Sequence, residues 1–499
     1  MCYTTPMHTF REGNDGPWAS LRGARAAAAV GSMVAAIALA WTVPTVASAD
    51  SAGSLTVVGT SDVSDSGLMS NVIQPAFQAA YPQYTFKYIG TATGKAITDA
   101  ETGALGPSAL IVHAASLENQ FVAGGFSAER YGRAIFRNDF VLAGPRRDPG
   151  AVRRNAAHNI ARAFADVAAA GIAGHATFVS RGGTPGTTVA EHQIWALVQR
   201  SHLAPAGLLV CGVGPENGGG ETPIAAGNGV TANGQPCPSG GALPTGPALP
   251  SWYGATGLTQ GPNVQLANAC TSFASGPNSC YVFTDRGTYD YLRSGTDPAG
   301  SISNLKVVTS ANAASAPGGA HELINYFHAY AIKGSKPGES VNAVAATDFL
   351  NLITSPALQA RIGRYLAHTG DPGGAPFVPD ASPIIHGWLP RRAAEGESIT
   401  IHGTVKNAEL GYRAPTGLAV GLDRLVAGFP IPIASTRTSR GGAYRLSFKL
   451  RATGTYELVT PQVSQIENSS LSPPFGDILS PAATNPWRIV VAGARSRTH

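Results

Sequence analysis

A short apolar run, Ala176 to Val179, breaks into Ser180-Arg181-Gly182-Gly183 and turns at Thr184-Pro185-Gly186. Through Thr187-Thr188 it then enters a segment with Ile194, Trp195 and Val198 at helical spacing. This reads as buried strand, loop and helix start. The same order occurs twice earlier. Leu55–Gly59 reads as a strand and runs into Thr60-Ser61-Asp62-Val63-Ser64-Asp65-Ser66-Gly67. Met69, Val72, Ile73, Ala76, Phe77 and Ala80 follow at helical spacing, with Ser64 or Asp65 as the N-cap. Tyr84–Ile89 ends in Gly90-Thr91-Ala92-Thr93-Gly94-Lys95, again before a helical segment. Further strands are expected at 109–112 and 140–143, and an Ala-rich helix over 156–171. The alternation predicts an α/β fold with mostly parallel sheets, in which ligands bind beyond the carboxyl ends of strands. One such turn alone is more readily structural, because Gly, Ser and Thr are ordinary turn and cap residues. Three of them, one with a central Arg, shift the balance towards a site.

The 180–188 loop has the chemistry of an anion site. It carries hydroxyls, one fixed cation (Arg181) and backbone N–H groups that few side chains obstruct. The first N–H groups of a helix lack partners and point along its dipole, which favours negative charge there. A fully ionised oxyanion only accepts hydrogen bonds, so it wants donors, a fixed cation and no carboxylate. The Arg fork donates twice and stays charged. Phosphate near neutral pH keeps a proton and wants a carboxylate acceptor, a role open to Asp62 or Asp65. The structural alternative for Arg181 is an ion pair. For Arg286, in Asp285-Arg286-Gly287, a hinge or interlobe pair is preferred over a ligand role. Asp139 reads as a turn or cap residue, and His113 as a hydrogen-bonded, partly buried histidine.

The 499 residues exceed one ordinary core and imply two or three domains. A formal charge of +5 is too small at this length for a nucleic-acid footprint. Arg22 and Arg25 precede an apolar run over 26–41, and Ala47-Ser48-Ala49 offers a cleavage site, so residues 1–49 read as a secretory signal. A signal-anchor is the alternative, and no cysteine at the cleavage point marks a lipoprotein. Cys211, Cys237, Cys270 and Cys280 remain after the leader, an even number in an exported chain. Of the three possible pairings, the local Cys211–Cys237 and Cys270–Cys280 are preferred. The spacings do not suit zinc, and no metal is expected.

Residues 211–250, rich in Gly, Pro, Asn and Thr, read as an insertion pinned by Cys211–Cys237. Strands are expected at 281–284 and 305–309. Leu323, Ile324 and Phe327 suggest one face of a helix, and a longer helical pattern over 344–366 breaks at Ser355-Pro356. The Gly- and Pro-rich stretch 369–383 reads as a linker. Beyond it, over 384–499, short strands at 398–403, 417–422, 444–450, 456–459 and 487–491 suggest a small antiparallel, Ig-like β-sandwich.

From about Leu55 to Leu366 the chain resembles the tungstate-binding, periplasmic-type component of bacterial ABC importers, within the wider oxyanion receptor superfamily. The likeness rests on Gly59-Thr60-Ser61 with Asp65-Ser66-Gly67-Leu68 and on Ile111-Val112-His113-Ala114 and Phe121-Val122-Ala123. It continues in Asn138–Pro145 with Asp148-Pro149, in Phe178–Gly182, in Trp252-Tyr253 with Thr256-Gly257, and in Thr284–Tyr289. The resemblance implies a two-lobed periplasmic-binding-protein-like fold. Lobe 1 would span about 54–144 and 285–368, lobe 2 about 145–284, with crossings near Gly144 and Thr284. Carried over residue by residue, it implies anion ligands at Thr60, Ser61, Thr91 or Thr93, Ser180, Arg181 and Thr187. The family loop usually runs Ser-Arg-Gly-Asp-Asp-Ser-Gly-Thr-His. Here it is Ser-Arg-Gly-Gly-Thr-Pro-Gly-Thr-Thr, and the loss of acids leans towards tungstate, molybdate or sulfate. The insertion and the C-terminal segment have no counterpart.

The function that the resemblance implies is capture of a small oxyanion, tungstate first and then molybdate, between two lobes for ABC import. The protein would be an exported monomer that delivers to a membrane permease and uses no cofactor. Arg181→Ala is expected to abolish binding and leave the fold intact. The alternatives are a cell-surface or wall-associated protein acting through the sandwich, and a phosphate receptor. An enzyme is disfavoured, since no G-x-S-x-G, H-E-x-x-H or Cys–His arrangement is present.

Overall fold

The structure is a computed structural model describing residues 53–213, 220–225, 249–297, 300–334, 341–368, 374–407, 416–468 and 474–492. The leader over 1–49, linker residues 369–373 and the Cys211–Cys237 pairing lie outside the described residues.

β1 (Gly53–Thr60), β2 (Tyr84–Thr91) and β3 (Ala109–Val112) lie parallel in the order β2-β1-β3. Between β1 and β2 run α1 (Ser61–Asp65) and a π-helical turn, Met69–Ile73, that continues into α2 (Gln74–Ala80). α3 (Thr93–Thr102) follows β2, and α4 (Ala115–Ala123) follows β3. Neighbouring residues of β1 face opposite layers. Val57 joins a core with Phe77 and Phe349, and Val58 one with Ile97, Leu110 and Phe121. Helices on both faces explain why β1 and β3 are buried almost throughout, whereas the edge strand β2 alternates buried Tyr84 and Phe86 with exposed Thr85 and Lys87.

The molecule is threaded on β4 (Gly132–Pro145). The elements after it are α5 (Val152–Asn155), α6 (Ile160–Ile172), β5 (Thr177–Ser180) and α7 (Gly186–Arg200). Then come β6 (Leu208–Val213), β7 (Gly220–Ala225), β8 (Tyr253–Ala255) and α8 (Gln260–Ala269). β9 (Cys280–Asp285), α9 (Arg286–Ser294), β10 (Leu305–Thr309) and β11 (Ile324–Ala331) follow. Along one edge of β4, β11 pairs with residues 133–139 and β10 with 142–145. β9 pairs with 140–143 on the other edge and is parallel to β5, which is parallel to β8. In the second lobe Phe178 and Phe283 pack with Phe164 and Trp195, while Val179 and Val282 pack with Val264, Tyr289 and Leu292.

These pairings move the expected boundaries. Phe140 is opposite Asp285 in register, and Ile324 is opposite Asp139. The crossings therefore fall at Asp139/Phe140 and Leu323/Ile324, and lobe 2 spans 140–323. The helix suggested by Leu323, Ile324 and Phe327 is instead β11, set between β3 and β4. A central strand buried on both faces carries a near-continuous apolar run, which can mimic a helical face over a few residues. The N-cap expected at Ser64 or Asp65 for the helical segment from Met69 is also replaced: both residues are inside α1, and Leu68 occupies the cap position of the Met69–Ile73 turn.

α10 (Ala343–Ile353) and α11 (Pro356–Ile362) break where expected. Ser355 caps α11 by accepting from Leu358 N, and Pro356 sits at its first position. Residues 374–381 are no free spacer. Phe377 is buried in lobe 1, and β12 (Val378–Pro379) pairs with β4. The sandwich follows. β13 (Ile384–His386), β15 (Ser398–Lys406) and β18 (Ala443–Lys449) face a second sheet. That sheet has the order β14 (Arg392–Ala394), β23 (Trp487–Ala492), β19 (Gly454–Thr460), β16 (Ala419–Val426), β17 (Phe429–Arg437), with β22 (Ala482–Ala483) beside β19. Ile401, Val405 and Leu446 meet Val420, Leu422, Leu458 and Ile489 between the sheets. The hairpin β20 (Val463–Asn468) and β21 (Phe475–Leu479) leaves the sandwich, and β21 pairs with β4 at Gly132 and Arg133. Cys270 and Cys280 form the expected disulfide.

Candidate functional site

The loops that follow β1, β2 and β5 meet between the lobes. Thr60 ends β1 opposite Thr91, which ends β2. α1 begins at once, so Ser61 and Asp62 stand at the edge of lobe 1, both buried. From lobe 2, Arg181 follows β5 and is 2% exposed. Gly182 and Gly183 adopt φ of +65° and +66°, a backbone that side-chain-bearing residues rarely adopt. That double turn aims Arg181 at lobe 1 and returns the chain to Pro185, from which α7 starts.

Each nitrogen of the Arg181 guanidinium makes a hydrogen bond. Nη1 donates to Asp62 Oδ1 at 3.1 Å, Nη2 to Ser61 Oγ at 2.9 Å, and Nε to the Leu258 carbonyl at 3.3 Å. The Thr187 hydroxyl lies 3.3 Å from Asp62 Oδ2 and 3.0 Å from Gln260 Oε1. His113 Nε2 lies 3.0 Å from both Asp62 Oδ2 and Thr60 Oγ1. From His113 Nδ1 a relay continues to Asn325 Oδ1 at 2.7 Å. Asn325 then donates to Asn138 at 2.8 Å, and Asn138 to Asp285 at 3.0 Å. Gly186 N donates to Thr93 Oγ1, Gly94 N to the Thr184 carbonyl, and Gly261 N to Asp65 Oδ2. These contacts join lobe 1 to lobe 2. Gly186 has to be glycine at this junction, since a Cβ would overlap the His113 ring.

Burial opposes charge on Asp62, but His113, Arg181 and the Thr187 hydroxyl outweigh it and hold the carboxyl below its usual range. Burial, then the charge of Asp62, push Asp285 well above that range. Burial lowers Arg181 against the pull of Asp62, Asp65 and Asp285.

Thr60, Ser61, Thr93, Arg181 and Thr187 are thus brought together, and Thr91 stands beside Thr60. Ser180 is placed differently: its hydroxyl donates to Glu191 at 2.7 Å and accepts from Gly182 N, organising the loop from behind. Glu191 also accepts from Tyr253 and Trp195, and burial raises it to about 7. Arg286 forms a two-pronged ion pair with Asp139, both arms 2.6 Å, at the crossing between lobes. Asp139 is therefore a pairing residue within β4 rather than a turn or cap. Gln260, Asn138 and Asn325 enter from distant segments with no local spacing to announce them. Beside His113 and Gly186 opens a cleft of about 510 Å³, also lined by Glu118, Gln193, Glu322 and Phe475. Among the described residues no group of His, Cys, Asp or Glu is set to hold a metal ion, and no helix is long and apolar enough to cross a membrane. Chemically, the arrangement is a buried set of donors around one fixed cation and one carboxylate.

A family described as "PBP superfamily domain" matches residues 44–357. A protein of Haloferax volcanii assigned as an ABC transporter anion-binding protein is 34% identical over 172 residues, 34% of this chain and 45% of that relative. The chain thus spans less than half the length of that relative. The tungstate-binding protein TupA of Peptoclostridium acidaminophilum is 24% identical over 339 residues, 66% of this chain and 87% of that protein. Among solved structures, the tungstate ABC transporter from Geobacter sulfurreducens is similar at 24% identity and a TM-score of 0.41. The match covers 61% of this chain and 95% of that one.

Proposed function

We propose, from the premise that the chain belongs to the PBP superfamily, that it is an extracytoplasmic receptor that captures a small oxyanion between its lobes and passes it to an ABC permease. One observation carries this reading. Arg181 of lobe 2 reaches across to Ser61 and Asp62 of lobe 1, among the hydroxyls of Thr60, Thr93 and Thr187. A ligand that contacts both lobes biases a hinge towards closure, and the single strand β4 and the single crossing at 323/324 suit a hinge. The name of the TupA relative supports tungstate as the first candidate.

A second reading, contact with a cell surface through the sandwich, has one observation in its favour. Phe429, Ile431 and Ile433 are exposed on alternate positions of β17, an edge strand.

The test is a thermal-shift panel on the exported chain with tungstate, molybdate, sulfate, phosphate and chromate. A ligand at a hundred times its Kd adds roughly 2.7 kcal/mol, several degrees. The expected result is stabilisation by tungstate or molybdate that Arg181→Lys reduces, because the ammonium keeps the charge and loses the fork. Arg181→Ala is not the clean control that the sequence suggests, since it strands the Asp62 carboxylate in the interior. Indifference to all five anions would sink the receptor reading and leave the sandwich as the seat of function.

A further inference from the structure

Asp62 belongs to lobe 1, yet its carboxylate engages the lobe 2 groups that an oxyanion would use. Its side chain has no exposed surface. Oδ1 takes Arg181 Nη1, and Oδ2 lies 3.3 Å from the Thr187 hydroxyl and 3.0 Å from His113 Nε2. An anion seated on Arg181 or Thr187 therefore lies beside an acceptor of its own sign. Two like charges this close in a buried site cannot both stay fully ionised, whereas one hydrogen between them turns the repulsion into a charge-assisted hydrogen bond.

The ionisable groups facing Asp62, among the described residues, come from every element around it. They are His113 beyond β3, Arg181 beyond β5, Asp65 on α1, Tyr88 on β2 and Asp285 at the end of β9. Tyr88 and Asp285 are both pushed up by burial and then by nearby carboxylates, so they bring no positive charge. Asp65, also raised by burial, is held by Gly261 N.

We propose that Asp62 makes anion capture proton-linked: the bound oxyanion and the Asp62 carboxyl share a single hydrogen. The inference rests on the oxyanion-receptor reading and names the chemical species that reading admits. An anion that carries its own hydrogen, such as hydrogen phosphate, brings the shared proton. An anion fully ionised at neutral pH, such as tungstate, molybdate or sulfate, binds with uptake of one proton from solvent, which resides on Asp62. Nothing else is gained or lost: one carboxylate, one dianion and one proton give a carboxyl group donating to the dianion.

The experiment is titration calorimetry of the full exported chain with tungstate, molybdate, sulfate and phosphate at pH 7, 8 and 9, in buffers of differing ionisation enthalpy. For a fully ionised anion the native protein should take up one proton, and its association constant should fall about tenfold per pH unit. Hydrogen phosphate should show little uptake above pH 8. Asp62→Asn should flatten the dependence for the ionised anions, and His113→Gln should keep it. pH-independent binding by the native protein would overturn the inference and leave the receptor reading standing. So would a slope that survives in Asp62→Asn, or one that vanishes only in His113→Gln. Folded native protein that binds none of the anions at any pH would remove both. The proton count on native protein decides the matter even if Asp62→Asn fails to fold.

Discussion

Glu191 shows how one residue can shape the site without reaching the ligand. Its carboxyl collects the hydroxyls of Ser180 and Tyr253 and the indole N–H of Trp195, all inside lobe 2. Burial raises it from 4.5 to about 7 despite those bonds. Between these values the folded protein holds a proton that the unfolded chain has released. The resulting stability is complete below about pH 4.5, declines as pH rises and levels off above about 7, at about 1.4 kcal/mol per pH unit. Glu322, also raised to about 7 by burial, acts over the same window. Urea midpoints at pH 5, 6 and 7 should therefore fall with pH, and Glu191→Gln should reduce that fall. An unchanged slope in the variant would place the proton elsewhere. Ser180 was legible in the sequence as a hydroxyl in an anion loop. Its actual use depends on Glu191, one α-helix away, which no pattern along the chain connects to it.

Among elements, the segment from α8 to β9 is positioned by a covalent tie. Cys270 follows α8 and Cys280 opens β9, a sequence separation of 10. α8 brings Gln260 to Thr187, and β9 ends at Asp285 on the relay from His113. Closing a loop of this length restricts the unfolded chain by about 3 kcal/mol. Replacing both cysteines by Ser should lower the urea midpoint accordingly. It should also weaken anion binding, because α8 is then held to β9 by packing alone. Equal midpoints would show that the tie adds nothing. This pairing could be read from local spacing, as could the break at Ser355-Pro356, where a cap and a proline coincide. β17 escaped sequence reading because Pro430 and Pro432 argue against a strand. It is an edge strand, with one side of its backbone unpaired, and there proline is tolerated.

At the scale of the whole molecule, β4 joins every part. One of its edges carries β11 and β10, and the other carries β21, β12 and β9. The C-terminal segment therefore completes the sheet of lobe 1 through its hairpin. Phe475, 3% exposed, packs on the His328 ring with centroids 5.3 Å apart and lines the cleft beside His113. Ending the chain at residue 383 should lower the melting temperature of the receptor part by several degrees and promote association through the uncovered edge of β4. Phe475→Ala in the full chain should cost about 3–5 kcal/mol. A truncated protein that melts as the full chain does and stays monomeric would show two independent domains.

The strand–turn–helix order, the α/β class, the β-rich C-terminal segment and the hydroxyl- and Arg-bearing loops can all be read along the chain. These are properties of periodicity and local turn chemistry, and both are written within a dozen residues. Tertiary structure decided where the lobes divide, because a crossing is defined by which strands pair on either edge of β4. It also decided that Leu323, Ile324 and Phe327 belong to a strand junction rather than a helix face. Above all it decided what Arg181 touches. Asp62 lies 119 residues away along the chain, and only burial of both against the closed lobes forces the carboxylate and the guanidinium to neutralise each other.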